Sequence, residues 1–254
     1  MDKYYQVALA AVKQAAVVFK KNFGCPKTVS IKGGNYRNLL TEVDGKIEKM
    51  IRQKIHQHFP NHKIIGEELG WKKNGKNDMV WIIDPIDGTT NFSRGIPLCC
   101  ISLALWDKDS PRLGIIYNPI TNQLYSAQKG KGAKLNGKKI KVSKISKFAD
   151  SIGGISWSLN LEAASKMFPK IIKSSRKNRA LGSAAYQLCL VAEGAYDHLI
   201  INDAHIWDIA AGMLIITEAG GKISDWEGKR PDYKIRNLIA SNGKIHNEIL
   251  KKLR

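Results

Sequence analysis

The stretch that decides the fold is Trp81-Ile82-Ile83-Asp84-Pro85-Ile86-Asp87-Gly88-Thr89-Thr90-Asn91-Phe92. An apolar run delivers two carboxylates, and a glycine and two threonines follow at once. The run predicts a buried strand, and Gly-Thr-Thr predicts the opening of a short helix. Pro85 predicts a stiff turn between the two aspartates. A strand end holds side chains rigidly, and a helix N-terminus led by glycine offers backbone N–H groups that suit a phosphate. Hard carboxylate oxygens beside such a pocket are what Mg²⁺ needs. The segment reads as a metal-assisted phosphoryl site. A bare Asp-x-x-Asp is also common on solvated turns, so the reading requires further acids at element ends elsewhere in the chain.

Those acids are present on both sides. Upstream, residues 62–69 read His-Lys-Ile-Ile-Gly-Glu-Glu-Leu: a short apolar strand broken by Gly66 before Glu67 and Glu68. Downstream, Trp207 and Asp208 precede an alanine-rich apolar run that ends in Gly220-Gly221, a helix stop. Asp208 therefore belongs to the first turn of a helix, where the dipole favours an anion. Taken singly, Asp208 reads as a helix cap and Glu67 and Glu68 as a solvated turn. The three elements together point to one acidic site.

The rest of the chain divides in two. Helices are expected over 2–22 and around Val43, Ile47, Ile51 and Ile55, at a 3.6-residue period. Strands are expected near 63–66, 79–83, 98–106, 112–118 and 123–128, with a hairpin turn at Asn136-Gly137. This half reads as two helices against a mostly antiparallel sheet. From 151 onward the pattern alternates as α/β: strand 151–156, helix 160–173, strand 178–180, helix 183–194, strand 195–201, helix 207–219, strand 236–241 and a final helix 243–253. The fold class is mixed α+β and α/β. One domain over 1–254 is expected, with sub-lobes of about 1–145 and 146–254 joined through Lys138–Phe148.

Composition bounds the function classes. The 254 residues are 43% hydrophobic, enough for a sizeable core. No apolar run reaches about 18 residues, so no membrane span is expected. The amphipathic N-terminus lacks the pattern of a signal peptide. Cys25, Cys99, Cys100 and Cys189 form no Cys-x-x-Cys pair and read as free thiols in a reducing, cytoplasmic compartment. The net charge of +19 attracts phosphorylated substrates. Its lysines are spread along the chain, denser over 129–147 and 166–179, without the arginine and aromatic texture of a nucleic-acid face.

The segments Gly66-Glu67-Glu68, 81–92 and Trp207-Asp208…Gly221, in that order and spacing, resemble the inositol monophosphatase family of Mg²⁺-dependent, lithium-sensitive sugar phosphatases. The resemblance covers nearly the whole chain, and residues 38–44, Asn-Leu-Leu-Thr-Glu-Val-Asp, agree with it. It implies a five-layer αβαβα sandwich, usually a homodimer, and catalysis with two or three Mg²⁺ ions. By the resemblance, Asp84 bridges two ions, Glu67 and the carbonyl of Ile86 complete one ion's shell, and Asp87 and Asp208 complete the other's. Asp44 and Thr89 orient the attacking water, and Gly88 and Thr89 hold the phosphate. Glu68 stands behind the ligands, and Lys32 lies at the site's edge or is one more surface lysine. Gly182, Ser183 and Ala184 match a segment lining the substrate pocket, and Ser183 reads equally as a helix cap.

The substrate is less determined. Inositol-preferring members carry a sugar-binding glutamate seven residues before the Trp-Asp aspartate. Here that position is Ile201, with Asn202 and Asp203 as neighbours able to take over. The expected reaction is hydrolysis of a phosphate monoester of inositol or a related sugar or polyol. The alternatives within the fold are fructose-1,6-bisphosphatase, histidinol phosphatase and nucleotide 3′-phosphatase. A further alternative is a role beside the transcription machinery, as in some bacterial relatives, with or without catalysis.

Overall fold

A computed structural model describes residues 2–31, 39–72, 78–108, 110–157, 161–232 and 236–253. Five layers are stacked, as the resemblance implied. The first holds α1 (Lys3–Asn22) and α2 (Glu42–His58). On α1 the buried residues Val7, Ala8, Ala11, Val12, Ala15, Ala16 and Phe19 recur at three- and four-residue spacing and form one stripe. Asp2 caps α1, accepting from the Tyr4 N–H at 3.1 Å. A two-stranded hairpin, β1 (Val29–Ile31) with β2 (Leu39–Thr41), leads into α2.

The second layer is an eight-stranded sheet formed by β3 (Lys63–Gly66), β4 (Gly70–Lys72), β5 (Met79–Asp87), β6 (Cys100–Asp107), β7 (Ser110–Asn118), β8 (Gln123–Gln128), β9 (Ala133–Leu135) and β10 (Lys138–Lys139). Its order is β10-β9-β8-β7-β6-β5-β3-β4. Every neighbouring pair is antiparallel except β3 with β5. The Asn136-Gly137 turn joins β9 to β10 with both residues at positive φ, as the hairpin reading required. Between β5 and β6 lies the short α3 (Thr89–Ser93).

The remaining elements are α4 (Leu161–Ser174), α5 (Ala184–Ala192), α6 (Ile206–Glu218) and α7 (His246–Leu253), with β11 (Ile152–Trp157), β12 (Lys177–Arg179), β13 (His198–Asn202), β14 (Lys222–Ser224) and β15 (Leu238–Ser241). The second sheet runs β12-β11-β13-β15-β14; β11 is parallel to β12 and β13, and β15 is antiparallel to β13 and β14. Helices α5 and α6 fill the space between the two sheets, and α4 and α7 cover the outer face. This placement explains the apolar sequence of α6, which is buried on all sides from Ile206 to Ile216 save Trp207 and Asp208.

Three differences from the sequence reading have physical causes. The short strands β1, β2, β4 and β14 carry too few residues to show a period. Strand β13 begins at His198 rather than 195 because Glu193 and the left-handed Gly194 are still ending α5. Most important for the site, Pro85 does not sit in a turn. Strand β5 continues to Asp87, pairing Asp84 with Ser102 and Asp87 with Cys100, so one extra residue is accommodated as a bulge. Among the described residues no helix is long and apolar enough to cross a membrane.

Candidate active site

The bulge in β5 aims the two aspartates. Side chains alternate along a strand, so residues three apart normally face opposite sides. Val80 and Ile82 face the layer of α5 and α6, while Trp81 and Ile83 face α1 and α2. The extra residue shifts the alternation: Ile86 joins the α1–α2 side, and Asp87 turns toward α5 with Asp84 on the same face. Proline is tolerated at such a bulge because no ladder N–H is required there.

Helix N-termini converge on this end of the sheet. Asp44 lies in the first turn of α2 and closes a capping box, accepting from the Thr41 N–H at 2.9 Å and from the Thr41 hydroxyl. Its second oxygen faces the Thr89 hydroxyl at 3.2 Å, and that hydroxyl also reaches the Ile86 carbonyl at 3.0 Å. Asp208 occupies the third position of α6 and accepts from the His205 N–H at 2.8 Å. Glu67 follows β3, with its own N–H on the Ile83 carbonyl at 3.2 Å. The partial positive charge of these helix ends offsets part of the carboxylate charge.

Asp87 is bound from across the layers. The Ser183 hydroxyl donates to it, as do the N–H groups of Ala184 at 3.1 Å and Ala185 at 2.7 Å. Ser183 is also the N-cap of α5, accepting from the Tyr186 N–H at 3.3 Å. The cap reading of Ser183 therefore holds, and the same side chain binds Asp87. Gly88 stands in the left-handed region at φ 88°; a Cβ there would lie 3.0 Å from the Leu98 carbonyl and 3.1 Å from that of Gly182. Asn91 holds these two segments together, its amide donating to the Leu98 carbonyl at 2.8 Å and the Leu181 carbonyl at 2.6 Å. The sequence reading assigned Asn91 no role, since its partners lie in two loops, one just before β6 and one 90 residues on in the chain.

The electrostatics follow from burial. Asp84 is 2% exposed and, among the described residues, takes one hydrogen bond, from the Ile86 N–H at 3.0 Å. Burial drives its pKa well above the usual carboxylate range, and the charges of Glu67, Asp87, Asp208 and Asp44 push the same way. Burial likewise raises Asp44 to about 6 with Glu67 adding to it, against the hydrogen bonds from Thr41 and Thr89. Asp87 is raised to about 6 by burial, against its bonds to Ser183 and the α5 N–H groups. The five acids are thus close enough to repel one another. All the donors are carboxylate or carbonyl oxygens, which fits a hard divalent cation. Among the described residues no three His, Cys, Asp or Glu side chains close into a ready-made cage. The oxygens of Asp87 are turned onto α5 and one oxygen of Asp208 onto the His205 N–H.

The substrate segment is placed unevenly. Gly182 is exposed, Ala184 is 9% exposed, and Ser183 is committed to Asp87. Ile201 is 2% exposed and packs in the core between the sheets, which corrects its assignment to the substrate pocket: the alternation of β13 turns it inward. Asn202 is buried at 1%. Asp203 is partly buried, at φ 61°, with its N–H on the Asn237 side chain at 3.1 Å and its carboxylate 4.0 Å from Arg236. Lys32 and Asn38 lie outside the described residues.

The whole chain, residues 1–254, matches the model of the inositol monophosphatase family. A fructose-1,6-bisphosphatase/inositol-1-monophosphatase of Thermotoga maritima is 37% identical, over 85% of this chain and 82% of its own. The Nus factor SuhB of Haemophilus influenzae is 33% identical, over 100% of this chain and 97% of its own. A solved IMPase/NADP phosphatase in complex with Mg²⁺ and phosphate superposes with a TM-score of 0.84 at 28% identity, covering 98% of this chain and 94% of that one. With the layered fold and the acidic site at the bulged end of β5, these matches establish that the chain belongs to the inositol monophosphatase family and is a phosphoric monoester hydrolase.

Proposed function

We propose that the chain hydrolyses a phosphate monoester of inositol or a related sugar or polyol, with Mg²⁺ held by Glu67, Asp84, Asp87, Asp208 and the carbonyl of Ile86. The observation that carries this reading is Asp84, a buried carboxylate that takes a hydrogen bond from the Ile86 N–H and has four acidic neighbours. An arrangement that costs so much unpaired is stable when a cation enters it. The relative solved with Mg²⁺ and phosphate supports the choice of ion. When bound, the metal supplies a nucleophilic water and neutralises phosphate and leaving-group charge.

The chain's own groups do the rest. The first-turn N–H groups of α3, at Gly88 and Thr89, hold phosphate oxygens. The Thr89 hydroxyl lies between Asp44 and the Ile86 carbonyl and orients the attacking water. Asp44, raised to about 6 and fixed by Thr41, receives the water's proton through that hydroxyl. The segments 182–184 and 202–203 flank the alcohol half of the substrate.

Phosphate release from inositol 1-phosphate, glycerol 2-phosphate, fructose 1,6-bisphosphate and a 3′-phosphoadenosine nucleotide tests the reading. Turnover is expected to stop on chelation, to return with Mg²⁺, and to fall with Li⁺ at limiting Mg²⁺. Full turnover in excess EDTA refutes the cation reading. The net charge of +19 and the likeness to SuhB favour a second reading, association with the transcription machinery. RNA filter binding across a salt series tests it.

A further inference from the structure

We infer that Glu48 and Arg52, one turn apart on α2, are positioning residues that hold Glu67 at the site; the inference rests on the cation-dependent reading proposed above. Glu48 is fully buried and accepts from Arg52 Nε at 2.7 Å. The same carboxylate crosses to the β3–β4 turn. One oxygen accepts from the Glu68 N–H at 2.7 Å, and the other from the Leu69 N–H at 3.2 Å. Arg52 Nη2 donates to the Gly70 carbonyl at 2.5 Å. The Glu67 N–H is already bound to the Ile83 carbonyl of β5. Every residue from Glu67 to Gly70 is therefore tied through its backbone, the first to the strand that carries Asp84 and the rest to the Glu48–Arg52 pair.

Gly66 makes the arrangement possible. A Cβ at that position would stand 2.1 Å from the Glu48 Oε1 atom and 2.4 Å from Cδ. The carboxylate fills the space that any other residue's side chain would take. A fully buried anion is costly unless it is paired and hydrogen-bonded, and here one cation and two backbone donors meet those demands. The expense goes to fixing the three residues that directly follow Glu67, an acid of the site, in this turn. Mg²⁺ demands near-ideal geometry, so a turn displaced by a fraction of an ångström weakens cation binding before it unfolds the protein.

The test is calorimetric titration of Mg²⁺ into the wild type, Glu48→Gln, Arg52→Lys and Ile51→Val, with thermal melts of each. Glu48→Gln keeps the shape but turns an amide N–H₂ toward one of two backbone donors. It is expected to weaken Mg²⁺ binding by about ten- to a hundredfold, the usual effect of losing a group that orients a ligand. The Mg²⁺ concentration for half-maximal turnover should rise in parallel, with the rate at saturating Mg²⁺ little changed. Arg52→Lys keeps the charge but cannot fork between Glu48 and Gly70, so a smaller loss is expected; it carries the test if Glu48→Gln does not fold. Ile51→Val, buried on the same helix, should lower the melting temperature and leave Mg²⁺ affinity unchanged. Unchanged Mg²⁺ affinity in the folded charge-pair variants overturns the inference and leaves the cation reading intact. A wild type that binds no Mg²⁺ overturns both, and the wild-type titration tells the two failures apart.

Discussion

Replacing Gly88 by alanine perturbs the site through two separable effects. The first is backbone strain: at φ 88° an L-residue pays about 1–2 kcal/mol for the left-handed conformation. The second is crowding. The new Cβ would lie 3.0 Å from the Leu98 carbonyl oxygen, 3.1 Å from that of Gly182 and 3.2 Å from Ser183 Cβ. Two of these are backbone atoms that cannot rotate away, and overpacking of this kind costs about 1–3 kcal/mol. The sum is about 2–5 kcal/mol, or roughly 4–20 °C of melting temperature at about 2–4 °C per kcal/mol. Gly137→Ala is the control. It sits at φ 83° with nothing within 4 Å, so it carries the strain alone. Relief of the crowding at residue 88 displaces the segment whose Ser183 binds Asp87, so Gly88→Ala should also lose most of its turnover. Gly137→Ala should keep it. Melts, urea titrations and phosphate release on both variants decide the matter. Equal destabilisation of the two, with full activity in Gly88→Ala, would refute the reasoning.

Three further outcomes are expected. Asn91→Ala removes donors from the Leu98 and Leu181 carbonyls and should cost about 1–3 kcal/mol in urea unfolding, whereas Ser93→Ala, whose hydroxyl bonds only within α3, should cost much less. Of the four thiols, Cys25 alone is exposed and Cys99 is pushed up to about 12 by burial, so a disulfide reagent at pH 8 should titrate one thiol in the native protein and all four in denaturant. A second fast thiol would contradict the buried placement. His246, lowered to about 4 chiefly by burial and further by Lys222, is neutral in the fold and bonded to Ser224 and Ser241. A depressed folded-state value means that its contribution is present above about 6.5 and is lost as pH falls toward 4, at about 1.4 kcal/mol per pH unit. Asp44 and Asp87, raised to about 6, act in the opposite sense over the same window. The readout is therefore the difference between His246→Gln and wild type, which should shrink between pH 6.5 and 4; parallel pH profiles would refute it.

Residues 81–92 by themselves determined that an apolar strand leads through paired acids to a short helix, because an apolar run and a Gly-Thr-Thr start are local properties of the chain. The all-round apolar sequence of α6, with Asp208 in its first turn, was legible for the same reason. The layer count came from the resemblance and not from periodicity, since amphipathic stripes say which face is buried and not which element covers it. Tertiary structure alone decided the rest. The bulge that brings Asp84 and Asp87 to one face is a matter of register with β6; Pro85 is compatible with it but reads equally as a turn until the strand is seen to be central. The bond from Ser183 to Asp87 joins positions 96 residues apart, and Asn91 reaches Leu181 over 90. Ile201 was read as a pocket residue by counting from Asp208, yet its direction is set by the pairing of β13 in the second sheet, which buries it. Local pattern specifies elements; which side chains meet across layers depends on register and stacking, and these exist only once the sheets have formed.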